Sequence, residues 1–189
     1  MRFSSLLAGT AALFALVGSA SVSPTRANDA DTCVKGDGDA KITACTNAIQ
    51  SGRWRGRDIA WAYVNRGWAY DVNEDYDRAI ADESEAIRLD PNMANAYIYR
   101  GWAYDDKDQY DLAIADETEA IRLDPKDAVI YNNRGSAYVD KQDFERAVAE
   151  FTQAIQLAPK YAAAFRNRAR AYLYTGKLAN ALGITVTPA

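Results

Sequence analysis

The chain has 189 residues, 49% hydrophobic and 25% charged, with 22 basic against 26 acidic residues and no histidine. This is the composition of a soluble globular domain, and a formal charge of −4 without a Lys/Arg-rich run argues against a nucleic-acid binder, which needs a basic face to neutralise phosphate. The missing histidine removes the usual general base near neutral pH and the commonest metal ligand together.

The first element in chain order is an address. Met1 and Arg2 precede an uncharged apolar run, Leu6 to Ala20, too short for a membrane span, which takes roughly 20 helical residues. A secretory signal peptide over residues 1–27 is expected, cut after Ala27 (TRA) or, alternatively, after Ala20 (GSA), with an uncleaved anchor as the competing reading. Such a leader places the mature chain outside the cytoplasm, secreted or periplasmic. Residues 28–59 then form an N-terminal capping segment. It carries both cysteines, Cys33 and Cys45; export favours a structural disulfide between them, and their spacing is far longer than that of a redox-active C-x-x-C pair. A D-x-D in Gly36-Asp37-Gly38-Asp39 lacks the further oxygen ligands and terminal glutamate of a calcium loop and reads as a turn before a helix.

Three segments then repeat: YVNRGWAYDVNEDYDRAIADESEAIRLDP ending at Pro91, YIYRGWAYDDKDQYDLAIADETEAIRLDP at Pro125 and YNNRGSAYVDKQDFERAVAEFTQAIQLAP at Pro159. The period is 34 residues, which belongs to solenoids. Each unit shows apolar residues at helical spacing twice with a polar break between, so each is a helix hairpin that buries its apolar face by stacking on the next. Gly67 and Ala79 lack bulk where the two helices meet, and Asp90-Pro91 ends the second helix.

These units resemble tetratricopeptide repeats. The matches are Tyr63, Gly67, Tyr70, Ala79, Ala86 and Pro91 in residues 60–93, then Tyr97, Gly101, Tyr104, Ala113, Ala120 and Pro125 in 94–127. Residues 128–161 add Tyr131, Gly135, Tyr138, Ala147, Phe151, Ala154 and Pro159. Residues 162–189 hold a partial fourth unit and tail, short enough to leave apolar surface open to weak self-association. ACTNAIQSG at 44–52 resembles a second helix, so Asp39 to Gln50 should be helical, with Cys45 where the family places an aromatic. The resemblance implies an all-α, right-handed superhelical solenoid of antiparallel helix pairs. Two departures stand out. Glu83 and Glu117 occupy the place of that aromatic; each carboxylate is expected either to pair with the following unit's arginine, Arg100 or Arg134, or to reach solvent at the edge of the stack.

The resemblance also implies a concave groove lined by first helices. Its residues here are Trp61, Val64, Trp68, Asp71 and Val72; Asn95, Ile98, Trp102, Asp105 and Asp106; Val129, Asn132, Ser136, Val139 and Asp140; and Ala163, Arg166, Arg170, Leu173 and Tyr174. Val64 and Trp68 replace the Lys and Asn with which some members grip a terminal carboxylate. An acidic, tryptophan-lined groove suits a protein ligand, a peptide or helix with basic and apolar residues; a small molecule or glycan on the tryptophans is the alternative. No catalytic constellation, cofactor or metal site is expected, because adjacent acids such as Asp82-Glu83 diverge around a helix.

Overall fold

A computed structural model describes residues 24–176, so the apolar leader within 1–23 and the tail of 177–189 lie outside the described residues. Helices α1 (Pro24–Lys35) and α2 (Gly38–Gln50) form a first hairpin. A 3-10 turn at Gly56–Ile59 leads into α3 (Ala60–Val72), α4 (Tyr76–Leu89), α5 (Ala94–Asp105), α6 (Tyr110–Leu123), α7 (Ala128–Asp140), α8 (Phe144–Leu157) and α9 (Ala162–Tyr174). Each helix packs on its successor, and α3 also touches α5 as α7 touches α9. The result is an all-α solenoid of stacked hairpins. Helix α1 is an element that its polar sequence, without apolar periodicity, does not signal. It brings Cys33 against Cys45 of α2 in a disulfide, both sulfurs fully buried in a cluster with Ala44, Ala48, Ile59 and Ala62. Linking residues 12 apart is worth roughly 2–3 kcal/mol in the chain-entropy account.

Local chemistry explains the hairpins. After α3, α5 and α7 the chain turns through Glu74, Asp108 and Gln142 in the left-handed region, at φ 60°, 58° and 63°. The amide of the next residue donates back to Tyr70, Tyr104 or Tyr138 at 2.9, 2.8 and 2.7 Å, closing the helix end as a Schellman turn does. Asp75 and Asp143 then cap α4 and α8 by accepting from the amides of Arg78 and Arg146.

The glycines at the hairpin contact have definite partners. A Cβ on Gly135 would lie 2.6 Å from Cε1 of Phe151, which has no exposed surface, whereas a Cβ on Gly101 would meet nothing nearer than Cγ of Glu117 at 3.4 Å, an ordinary van der Waals contact. Gly135→Ala should therefore destabilise by about 1–3 kcal/mol through overpacking. Gly101→Ala should be neutral or stabilising, because alanine is the better helix former by roughly 1 kcal/mol. Urea titration of the two variants checks both signs.

Neither expected arrangement of the two glutamates is found. Glu83 is wholly buried and Glu117 is 2% exposed, yet both oxygens of Glu83 and Oε2 of Glu117 lack a hydrogen-bond partner among the described residues. The arginines are engaged elsewhere. Arg66, Arg100 and Arg134 each grip the acid 16 residues on, Asp82, Asp116 and Glu150, at 2.7–2.9 Å. Each reaches back to a hydroxyl of the preceding hairpin, Thr46, Ser84 or Thr118, at 3.0 Å. In Arg66 and Arg100 the fork of the guanidinium explains this choice: Nε and Nη2 bind one carboxylate bidentately and Nη1 serves the neighbouring unit, whereas Arg134 reaches both oxygens of Glu150 from Nη2 alone and its buried Nε has no partner among the described residues. Asp82 and Glu83 thus diverge, one to the arginine and one into the core. Burial, with Asp82 and Asp71 adding negative charge, raises the Glu83 carboxyl to about 10. Burial, then Asp105, raises Glu117 well above the carboxylate range. Glu83 is a neutral acid near pH 7.

Candidate functional site

The stacking of α3, α5, α7 and α9 brings their equivalent faces into one row. Not every residue expected to line that face does so. Val64, Ile98 and Asn132 are each 7% exposed. Val64 packs with Ala86 and Ala96, and Ile98 with Ala120 and Ile130. Asn132 accepts a hydrogen bond from Nδ2 of Asn167 at 3.0 Å. Their side chains point between neighbouring units because those units nest closely, so these three are packing residues; Val139 is buried likewise. Asn95, Val72, Val129 and Asp140 are exposed, as are Arg166, Arg170, Leu173 and Tyr174 on α9.

The tryptophans have three different surroundings. Trp61 is half-buried and stands edge-on to Trp54 at 5.4 Å. Trp68 is half-buried, with Nζ of buried Lys41 from α2 lying 4.3 Å over its ring. Desolvation lowers the Lys41 pKa, and Asp37 partly offsets it. Trp102 touches Tyr99 at 5.2 Å. With the Asn133 amide oriented to satisfy both its partners, Oδ1 accepts from Trp102 Nε1 at 2.9 Å and Nδ2 donates to Val129 O at 3.2 Å.

Trp102 stands beside a pocket of about 290 Å³ whose walls are mainly acidic. Asp71 comes from the end of α3, Asp105 and Asp106 from the end of α5, and Glu117 from α6; Asn133 and Ser136 of α7 close it. Ser136 Oγ donates to Asn132 O at 3.2 Å. Desolvation, then neighbouring acids, raises Asp71 and Asp105 each to about 6, Asp106 acting on Asp71 and Asp140 leading for Asp105. One oxygen of each is buried without a partner among the described residues. The C-terminal ends of α3 and α5 add the negative pole of the helix dipole to these acids. Such crowding destabilises the free chain locally and favours a cation.

The sequence identified Trp102, Asp71, Asp105, Asp106 and Ser136 here. It missed Glu117 and Asn133. Glu117 departs from the repeat pattern, but nothing in spacing tells that a side chain on a second helix reaches the pocket floor. Among the described residues no three Asp, Glu or Cys side chains are grouped so as to hold a metal ion, and no helix is long and apolar enough to cross a membrane.

Comparison with known proteins agrees with this architecture. Tetratricopeptide repeat models match residues 64–128 and 135–176. Among proteins of curated function none matches the chain. MamA (residues 41 to the end) from Desulfovibrio magneticus RS-1 is similar over 84% of this chain and 88% of its own, at 20% identity and a TM-score of 0.72. The first such domain of Spaghetti (RPAP3), bound to the HSP90 peptide SRMEEVD, is 22% identical over 62% of this chain and 93% of its own, with a TM-score of 0.60. The second domain of human RPAP3, in complex with the HSP70 peptide SGPTIEEVD, is 26% identical over 58% and 91%, with a TM-score of 0.56. The two repeat models together span more than half of the sequence, and on them and the stacked hairpins the chain is a tetratricopeptide-repeat protein.

Proposed function

We propose that this protein is an exported, non-enzymatic scaffold or assembly factor that holds a segment of another protein, a peptide or a helix, along the row of first helices. Tetratricopeptide domains are protein-interaction modules, and two structural neighbours carry bound peptides. The observation that carries the reading is the acidic, tryptophan-walled pocket at the ends of α3 and α5, which offers an aromatic anchor ringed by polar groups. Ligand chemistry differs from that of the neighbours. Their peptides end in acidic residues, whereas this face presents Asp71, Asp105 and Asp106, so an acidic tail is repelled here. A small molecule or glycan is the weaker reading, because the pocket falls just short of the roughly 300–1,000 Å³ of small-molecule sites.

A photo-crosslinking amino acid tests this in the producing cell. Placed at Trp102 it should give discrete protein adducts, and placed at Ala115, an exposed residue of α6, it should not. Equal adducts at both places, or none at Trp102, would reject the groove. The N-terminus of the same recovered protein tests leader cleavage: Asn28 or Ser21 as first residue supports it, and Met1 contradicts it.

A further inference from the structure

The pocket beside Trp102 combines features that select one chemical class of ligand. Its floor is Glu117, 2% exposed, with Oε2 unpartnered, and its walls hold the unpartnered buried oxygens of Asp71 and Asp105. Burying carboxyl oxygens without donors is costly, and a ligand bearing several N–H donors and positive charge satisfies them. The aromatic wall accepts a cation on its face.

The chain shows the same pairing within itself. Trp68 and Trp102 lie in identical RGWAYD stretches, and over Trp68 the chain supplies its own cation, Lys41. When α2 and α4 are aligned by Ala48 and Ala86, the residue standing where Lys41 stands is Ala79. Among the described residues no cation of the chain lies over Trp102. At about 290 Å³ the pocket suits one side chain, and the grouping of its acids does not suit a metal ion.

We propose that this pocket recognises a single arginine of the partner segment, its guanidinium stacked on Trp102 and donating to Asp71, Asp105 and Glu117. Arginine is favoured over lysine because its plane stacks on an indole, its fork serves more than one carboxylate, and it is more weakly hydrated. The inference rests on the groove being a peptide-binding face and adds the identity of the anchoring residue. Asp106, exposed at the rim, contributes to attraction at a distance.

A random twelve-residue peptide library selected on the whole chain tests it. Winning peptides are resynthesised with each arginine replaced by citrulline, which keeps the shape and removes the charge. One replacement per peptide should weaken binding at least tenfold on the parent chain. On the isosteric double variant Asp105→Asn, Glu117→Gln the penalty should shrink below about threefold. Glu119→Gln, which removes one charge from outside the pocket, should preserve it, separating local recognition from overall acidity. Replacing that arginine by lysine should weaken binding several-fold. Peptides that bind without arginine, tolerate citrulline or lysine, or lose equally on parent and double variant overturn the inference and leave the groove reading standing. A library that yields no binding peptide overturns both.

Discussion

Raising the pH from 5 to 8 should destabilise the chain, and Glu83→Gln should flatten much of that slope. Glu83 titrates near 10 in the folded chain against an ordinary 4.5, so between those values the native state holds a proton that the unfolded state has released. A folded pKa raised above the unfolded one contributes its full stability below the unfolded value and loses it as pH climbs toward the folded value. The slope is at most about 1.4 kcal/mol per pH unit for one such group. Glu117 is shifted in the same direction. Asp71 and Asp105, raised to about 6, add to the loss in the lower part of the range. Acids whose pKa is lowered by arginine hydrogen bonds, such as the part-exposed Glu85 and Asp143, gain their stability as pH rises through the ordinary carboxylate range, below most of this window, and do not offset the trend. Glutamine keeps the volume against Gly67, where a Cβ would lie 2.4 Å from Oε1 of Glu83, without a group to ionise. Urea unfolding at pH 5, 6.5 and 8 reads the effect. A parent whose stability is constant or rises across this range contradicts the burial of a neutral Glu83.

Arg100→Ala should cost about 3–5 kcal/mol, the usual penalty for leaving one partner of a buried pair alone. The guanidinium holds Asp116 through two bonds of 2.7 Å, and the Asp116 side chain is only 8% exposed. It also donates to Ser84 at 3.0 Å, so the same deletion loosens the second unit from the first. Arg100→Lys keeps a charge but loses the fork and should recover less than half. Removing both partners in Arg100→Ala, Asp116→Ala should cost less than Arg100→Ala alone, since no charge is then stranded. Arg88→Ala removes an exposed pair with Glu85 one turn away and should leave the unfolding midpoint nearly unchanged. Equal midpoints for the Arg88 and Arg100 variants would remove the arginine ladder from the account of stacking.

Much of the scaffold was legible because the repeat itself carries physical demands. A glycine must stand where Phe151 packs, and alanines must stand at Ala79, Ala113 and Ala147 where helices close on one another. These needs are local and recur at 34 residues, so alignment of the chain with itself exposes them. What the pattern could not show is where a side chain goes once two units nest. Val64, Ile98 and Asn132 lie one helical turn from groove residues, and only the closeness of the next unit decides that they are buried. Nor could spacing reveal the partner of each arginine, since Asp82 and Glu83 are adjacent and only the helix's rotation sends one outward to Arg66 and the other into the core. The repeated tryptophan illustrates both sides. Its duplication follows from the repeat, but Trp68 meets Lys41 of an atypical N-terminal hairpin whereas Trp102 borders an acidic pocket.

On this reading the pocket beside Trp102 is the anchoring point of a protein ligand. A crystal structure of the chain with one selected peptide tests it most directly. An arginine side chain should lie against Trp102, within hydrogen-bond distance of Asp105 and Glu117, with the rest of the peptide running across α3, α5 and α7. A peptide seated on the second helices, or one that crosses the groove with an apolar or acidic side chain in the pocket, would contradict it.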